Sequence, residues 1–60
     1  AVAQFEAALR LDPTSQAALG NLASIRARQG RTDEARALLT RLLAAHPTDG
    51  QAAQLLQSLR

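Results

Sequence analysis

The sequence contains no cysteine, one histidine and one aromatic residue, Phe5. Without cysteine the chain cannot form a disulfide, and with His46 alone it cannot assemble a zinc site from cysteine and histidine ligands. A chain of 60 residues is at most one small domain, and such a domain buries only about 60% of the surface that its unfolded chain exposes. The stabilisers that remain are oligomerisation and regular helix packing. We therefore predict a domain without a metal or a cofactor.

Lysine is also absent, and seven arginines against five acids give a net charge of +2. The basic cluster of Arg26, Arg28 and Arg31 has too little charge and no aromatic side chain for stacking on bases, so it indicates a solvated helix end and no nucleic-acid partner. Arg36 and Arg41 interrupt the most hydrophobic region, and no apolar run reaches the roughly 20 residues that span a bilayer. We expect a soluble protein, cytoplasmic or periplasmic. The exclusive use of arginine points to a GC-rich bacterial genome.

Proline and glycine are scarce, with two and three copies, and they divide the chain into helical segments. Alanine, leucine, arginine and glutamine dominate between them and favour helices. Pro13 and Pro47 each end a segment, and Gly30 is placed to end another in the left-handed conformation. The pattern predicts helices over 1–11, from about 16 to Gly30, from 32 to about 45, and from 50 to the end. Because the loops are short, successive helices are expected to be antiparallel.

Polar residues at the expected helix starts predict the caps. Thr14 or Ser15 can accept the first free amides of the second helix, and Thr32 those of the third. The segment "TDGQ" fits a capping box for the fourth helix, with Thr48 and Gln51 as the reciprocal pair.

The segments "LDPTS" at 11–15 and "AHPTD" at 45–49 lie 34 residues apart. Identical residues recur at this spacing; they include Pro13 and Pro47, Thr14 and Thr48, Leu9 and Leu43, and Leu22 and Leu56. The chain resembles the tetratricopeptide repeat family, whose 34-residue unit reads W-x2-L-G-x2-Y, A-x3-F and P. The matching positions are Leu19, Leu22, Ala23 and Arg26, then Ala35, Leu39 and Pro47, preceded by Ala1, Phe5 and Pro13.

The resemblance implies an all-α fold of antiparallel helix-turn-helix repeats, four helices stacked as a short right-handed solenoid. Residues 1–13 would be the second helix of a partial repeat, 16–49 a full repeat, and 50–60 a terminal capping helix. Arg26 and Arg60 depart from the family pattern, which prefers tyrosine there. We expect an arginine stem to cover apolar surface while its head reaches water.

Small residues indicate how the helices approach one another. Ala1, Ala8, Ala23 and Ala35 are expected to pack against Phe5, Leu22 and Leu39. At the start, Val2, Phe5 and Leu9 would be partly uncovered, so an upstream helix or a second copy of the chain is expected to cover them. At the other end, Gln57 stands where a small residue would receive a following helix, which indicates a cap with a polar outer face and an array that ends near residue 60.

The resemblance implies a non-enzymatic scaffold that presents a concave groove to a partner protein or peptide. The residues that face the groove by helical spacing are Ala17, Gly20, Asn21, Ser24, Arg28, Gln51, Gln54, Leu55 and Ser58. Asn21 is the strongest candidate because its amide both donates and accepts hydrogen bonds. The small residues are explained equally well by close packing of the helices. Some members bind a C-terminal carboxylate with basic residues, but Gln51 and Leu55 stand where those bases would be.

Two other functions stay open. The chain could be a structural cap, a spacer or a self-association unit of a longer scaffold, with Val2, Phe5 and Leu9 as a homo-oligomer face. It could also be an accessory segment of an enzyme or of a secretion or assembly machine whose active domain lies outside this chain. His46 is interpreted as a loop residue before Pro47 and not as a catalytic base. We predict no enzymatic activity.

Overall fold

The computed structural model describes residues 2–59, which form four helices and no strand. The helices are α1 (Val2–Leu11), α2 (Gln16–Arg28), α3 (Thr32–Ala45) and α4 (Gly50–Ser58), and each packs on the next along the chain. The predicted all-α fold with four helices is confirmed. Two further points stay predictions: the division of the chain into 1–13, 16–49 and 50–60, and the right-handed stacking of the repeats. Ala1 and Arg60, to which packing roles were assigned above, lie outside the described residues.

The end of α2 has the glycine terminator that the sequence predicts. Gly30 has a φ of 79°, a conformation that glycine adopts without the steric cost of a Cβ atom. Its amide donates to the carbonyl of Ala27 at 3.1 Å, and the amide of Arg31 donates to the carbonyl of Arg26 at 2.9 Å. These two bonds form a Schellman motif, which satisfies the last carbonyls of the helix. The chain therefore turns within a few residues and starts α3.

The helix caps follow the prediction in one case and differ in two. Ser15 caps α2, because its Oγ accepts the amide of Ala18 at 3.3 Å. Thr32 does not cap α3: it is the first residue of the helix, and Arg31 is the N-cap and provides no side-chain bond. Thr48 and Gln51 do not form a capping box, since Asp49 is the N-cap of α4 and its Oδ1 accepts the amide of Ala52 at 3.1 Å. The predictions that Thr32 and Thr48 are N-caps were wrong, and each lies one residue away from the observed N-cap.

The core lies between α2, α3 and the start of α4. Its buried cluster consists of Leu19, Ala23, Leu39, Leu42 and Ala52, surrounded by partly buried leucines. Ala23 and Ala35 are fully buried, so these two small residues lie in the core, as the repeat spacing predicts. Packing of this kind lets the helix backbones come close together.

The first helix contributes no fully buried residue. Val2, Phe5 and Leu9 are each half-buried, as the expectation of a partly uncovered face requires. Leu11, the last residue of α1, is 90% exposed. The described part of α1 therefore packs on α2 without contributing a buried side chain.

Arg26 differs from its expectation, because only 16% of its side chain is exposed. Its guanidinium lies 3.7 Å from Glu6 of α1 and 3.4 Å from Glu34 of α3, and it donates to Gln29 Oε1 at 3.0 Å. Arg31 also faces Glu34, at 3.6 Å. The head of Arg26 is thus directed at carboxylates on two neighbouring helices and not at open water. Two of the three arginines of the basic cluster are neutralised in this way.

Candidate partner-binding groove

A groove with a volume of about 410 Å³ runs between α2 and α4. The side chains of α2 form one wall, α4 and its cap form the other, and Leu39 and Leu42 of α3 lie beneath. The lining residues are Gln16, Ala17, Gly20, Asn21, Ser24, Leu39, Leu42, Asp49, Gln51, Ala52 and Leu55. The two walls are the helices that the family pattern places at the opening of each unit. We call this surface the α2–α4 groove.

The groove brings together six of the nine residues expected from helical spacing. These six are Ala17, Gly20, Asn21, Ser24, Gln51 and Leu55. Arg28, Gln54 and Ser58 do not line it. Arg28 and Ser58 belong to the last turns of their helices, and the Ser58 hydroxyl donates to the carbonyl of Leu55 at 2.8 Å. A binding role for any of the nine stays a prediction.

Sequence reasoning missed the polar pair at one end of the groove. Gln16 Nε2 donates to Asp49 Oδ2 at 2.8 Å, which joins the start of α2 to the cap of α4. A signal was present, because Ser15 and Asp49 are one repeat length apart and both cap a helix. Gln16, the residue after the first of these caps, contacts Asp49, which is the second.

Asp49 holds the negative charge of this groove. The hydrogen bond from Gln16 is the largest cause that lowers the pKa of Asp49 below its usual value of 3.8, and the amide of Ala52 acts in the same direction. Desolvation acts in the opposite direction, and the amide of Gln51 and the charge of His46 make smaller contributions that lower the pKa further. Hydrogen bonds to the ionised form favour that form. Asp49 is therefore a carboxylate at neutral pH.

His46 and Arg41 connect two loops outside the groove. His46 Nε2 lies 2.8 Å from the carbonyl oxygen of Thr14, and since a carbonyl only accepts, this nitrogen carries the hydrogen. Arg41 Nη2 donates to the carbonyl of Pro13 at 3.2 Å. Both bonds attach the end of α3 to the turn between α1 and α2. Across residues 2–59 no group of three or more histidine or acidic side chains is placed to hold a metal ion.

Gly20, on the groove wall, provides a test of the packing around it. A Cβ atom at Gly20 would lie 3.6 Å from Leu42 Cδ1, which is an ordinary van der Waals contact. Because glycine inside a helix is unfavourable relative to alanine, we expect Gly20→Ala to raise the free energy of unfolding by about 0.5–1 kcal/mol. Urea unfolding followed by circular dichroism measures this change.

The matched control is the same substitution at Gly30, where φ is 79°. An alanine there would be held in the left-handed region, which costs about 1–2 kcal/mol. The two glycine-to-alanine changes should therefore shift stability in opposite directions. A loss of stability in Gly20→Ala would show that the space beside Leu42 is smaller than described.

One comparison with known proteins identifies the family of this chain. A family model described as tetratricopeptide repeat matches residues 1–59. No curated protein and no solved structure matches the chain significantly. Members of this family generally mediate protein–protein interaction and are generally non-enzymatic scaffolds. Within the described range 2–59 no helix is long and apolar enough to cross a membrane. The match spans nearly the whole sequence, and the chain belongs to the tetratricopeptide repeat family.

Proposed function

We propose that this chain is a protein-interaction module without catalytic activity, and that its α2–α4 groove holds a short segment of a partner protein. The observation that carries the proposal is the groove itself. It is open along one face and is built from the two helices that family members use to contact their partners. Its volume of about 410 Å³ falls within the range of ordinary ligand sites.

The lining of the groove suits a peptide backbone. Ala17 and Gly20 have little or no side chain, so an extended chain could approach the helix closely. Asn21 is exposed beside them and can donate to a backbone carbonyl and accept from a backbone amide. Gln51 is exposed on the opposite wall and offers the same chemistry. Hydrogen bonds between these side-chain amides and the peptide backbone would contribute affinity that does not depend on the side chains of the peptide.

A structural role is a second candidate, favoured by the open face of α1. Val2, Phe5 and Leu9 are half-buried, and a second copy of the chain could cover them. Sedimentation over a range of concentrations tests this alternative. A strictly monomeric chain would remove the self-association version, whereas a dimer that Phe5→Glu dissociates would support it.

For groove binding, peptides selected from a random display library provide the probe, and two-dimensional amide NMR spectra locate their site. We expect shift changes to concentrate at Ala17, Gly20, Asn21 and Gln51. Asn21→Ala should weaken the selected peptides about five-fold, since a typical hydrogen bond contributes about 1 kcal/mol. Gln4→Ala is the matched control, because Gln4 is an exposed amide on α1 outside the groove.

The possible results of this experiment lead to different conclusions about Asn21 and about the groove. Equal affinity of the wild type and Asn21→Ala would remove Asn21 from the site while leaving the groove in place. Shift changes confined to α1, or no peptide recovered at all, would overturn groove binding.

A further inference from the structure

The charge inside the α2–α4 groove is opposite to that of the whole chain. The chain carries a net charge of +2, yet among the described lining residues Asp49 alone is charged. The other lining side chains are amides, a hydroxyl and apolar groups. A partner segment in the groove would therefore meet one negatively charged lining side chain and no positively charged one among the described residues.

Within residues 2–59, the donors that bond to Asp49 are neutral. Its Oδ1 accepts the amide of Ala52 at 3.1 Å, and its Oδ2 accepts Gln16 Nε2 at 2.8 Å. These bonds orient the carboxylate and leave its charge in place. The amide of Gln51 also acts on this carboxylate, and since a carboxylate has about four lone-pair sites, it can still accept a further donor.

The arginines within residues 2–59 that form ion pairs do so with other acids. Arg26 and Arg31 contact Glu34, and Arg36 donates to Asp33 at 2.6 Å. His46 is near enough to influence Asp49 electrostatically, but its Nε2 is bonded to the carbonyl of Thr14. The carboxylate of Asp49 is thus oriented, ionised and without an ion-pair partner in the part of the chain described.

Resting on the proposed function, we infer that the α2–α4 groove selects partner segments with a lysine or arginine side chain that pairs with Asp49. Asp49 is partly exposed and lies with Gln16 at the end of the groove where α2 and α4 begin. A segment that extends over Ala17 and Gly20 would place one side chain at this end. A basic side chain there gains a charge-assisted hydrogen bond, whereas an acidic one would face a like charge.

The size of the effect follows from the exposure of the site. Ion pairs in partly exposed positions are weak, so we expect a preference of about five-fold for lysine over an uncharged side chain of the same length. The preference should shrink as salt is added, because exposed charges are screened. Affinity that comes from backbone hydrogen bonds should depend far less on salt.

The experiment uses octapeptides selected against the 60-residue chain and shown by NMR to bind at the groove. For each peptide that contains a basic residue, three versions are compared at that position, with lysine, norleucine or glutamate. We expect the order of affinity lysine, norleucine, glutamate, with the lysine preference falling at high salt. This series needs no variant of the protein.

A substitution then assigns the preference to one residue. Asn caps helices nearly as well as Asp, so Asp49→Asn should keep α4 intact, which circular dichroism verifies, while removing the charge. We expect lysine and norleucine peptides to bind this variant equally. Asp33→Asn is the control with the same charge change, since Asp33 lies outside the groove and its side chain is 93% exposed; the lysine preference should persist there.

The failures of the two proposals are distinguishable. Peptides that bind the groove with no basic preference, or with a preference that survives Asp49→Asn, would overturn the role of Asp49 and leave groove binding standing. If no peptide binds the groove, the proposed function fails, and the inference fails with it.

Discussion

Replacing Leu39 with alanine is expected to remove most of the free energy of unfolding of the domain. Leu39 is fully buried and belongs to the cluster that joins α2, α3 and α4. Removing a leucine side chain from such a position costs about 2–5 kcal/mol, through lost burial and the cavity that remains. A core in a domain of this size rarely supplies more than about 3–5 kcal/mol in total. The substitution therefore removes most of the stability.

The control is the same substitution at Leu11, which is 90% exposed. Leu11→Ala removes the same atoms without creating a cavity, so its change should stay within about 0.5 kcal/mol. Urea unfolding followed by far-ultraviolet circular dichroism compares both variants with the wild type. A loss below about 1 kcal/mol in Leu39→Ala would contradict the described core.

The position of Leu39 in the core could be read from the sequence. Ala35 and Leu39 match the A-x3-F part of the repeat pattern, and one helical turn separates them, so they share a face. Both are fully buried. Pro13, Pro47 and Gly30 fixed the approximate helix ends because each restricts the backbone directly. Local steric rules and helical periodicity were therefore enough for the fold class and the four helices.

The caps show where local rules stop being sufficient. Thr32 and Thr48 have the right chemistry for an N-cap, but a cap depends on which residue first becomes helical. At α3 the helix begins at Thr32 itself, directly after the Schellman motif at Gly30, and at α4 the side chain of Asp49, and not that of Thr48, accepts the amide of Ala52. Neither outcome follows from residue preference alone, since Thr, Asp and Asn are all accepted caps.

The surroundings of Arg26 and the extent of the groove could not be predicted from the sequence, because both depend on how the helices pack. The sequence shows an arginine where the family prefers tyrosine, but the carboxylates that surround it come from α1 and α3, which are distant along the chain. Helical spacing likewise gives the direction of a side chain and not the length of the groove, which excludes Arg28 and Ser58. The contact between Gln16 and Asp49 arises only when α2 and α4 lie side by side.

Ala23 offers the opposite test to Leu39, because a larger side chain is expected to destabilise the same core. Ala23 is fully buried and clusters with Leu19, Leu39, Leu42 and Ala52. Ala23→Leu adds three carbon atoms where α2 packs against its neighbours. Overpacking of this kind forces side chains out of their rotamers or moves the backbone, which costs about 1–3 kcal/mol.

The matched control is Ala37→Leu, at an exposed position of α3. Leucine and alanine both favour helices, so this change should alter the free energy of unfolding by less than about 0.5 kcal/mol. If burial of apolar area alone set the stability, Ala23→Leu would stabilise the domain, because leucine is the more hydrophobic residue. A gain in stability at Ala23 would show that the helices leave unfilled space between them. A loss would establish that the small residue is required because it lets α2 pack closely against its neighbours.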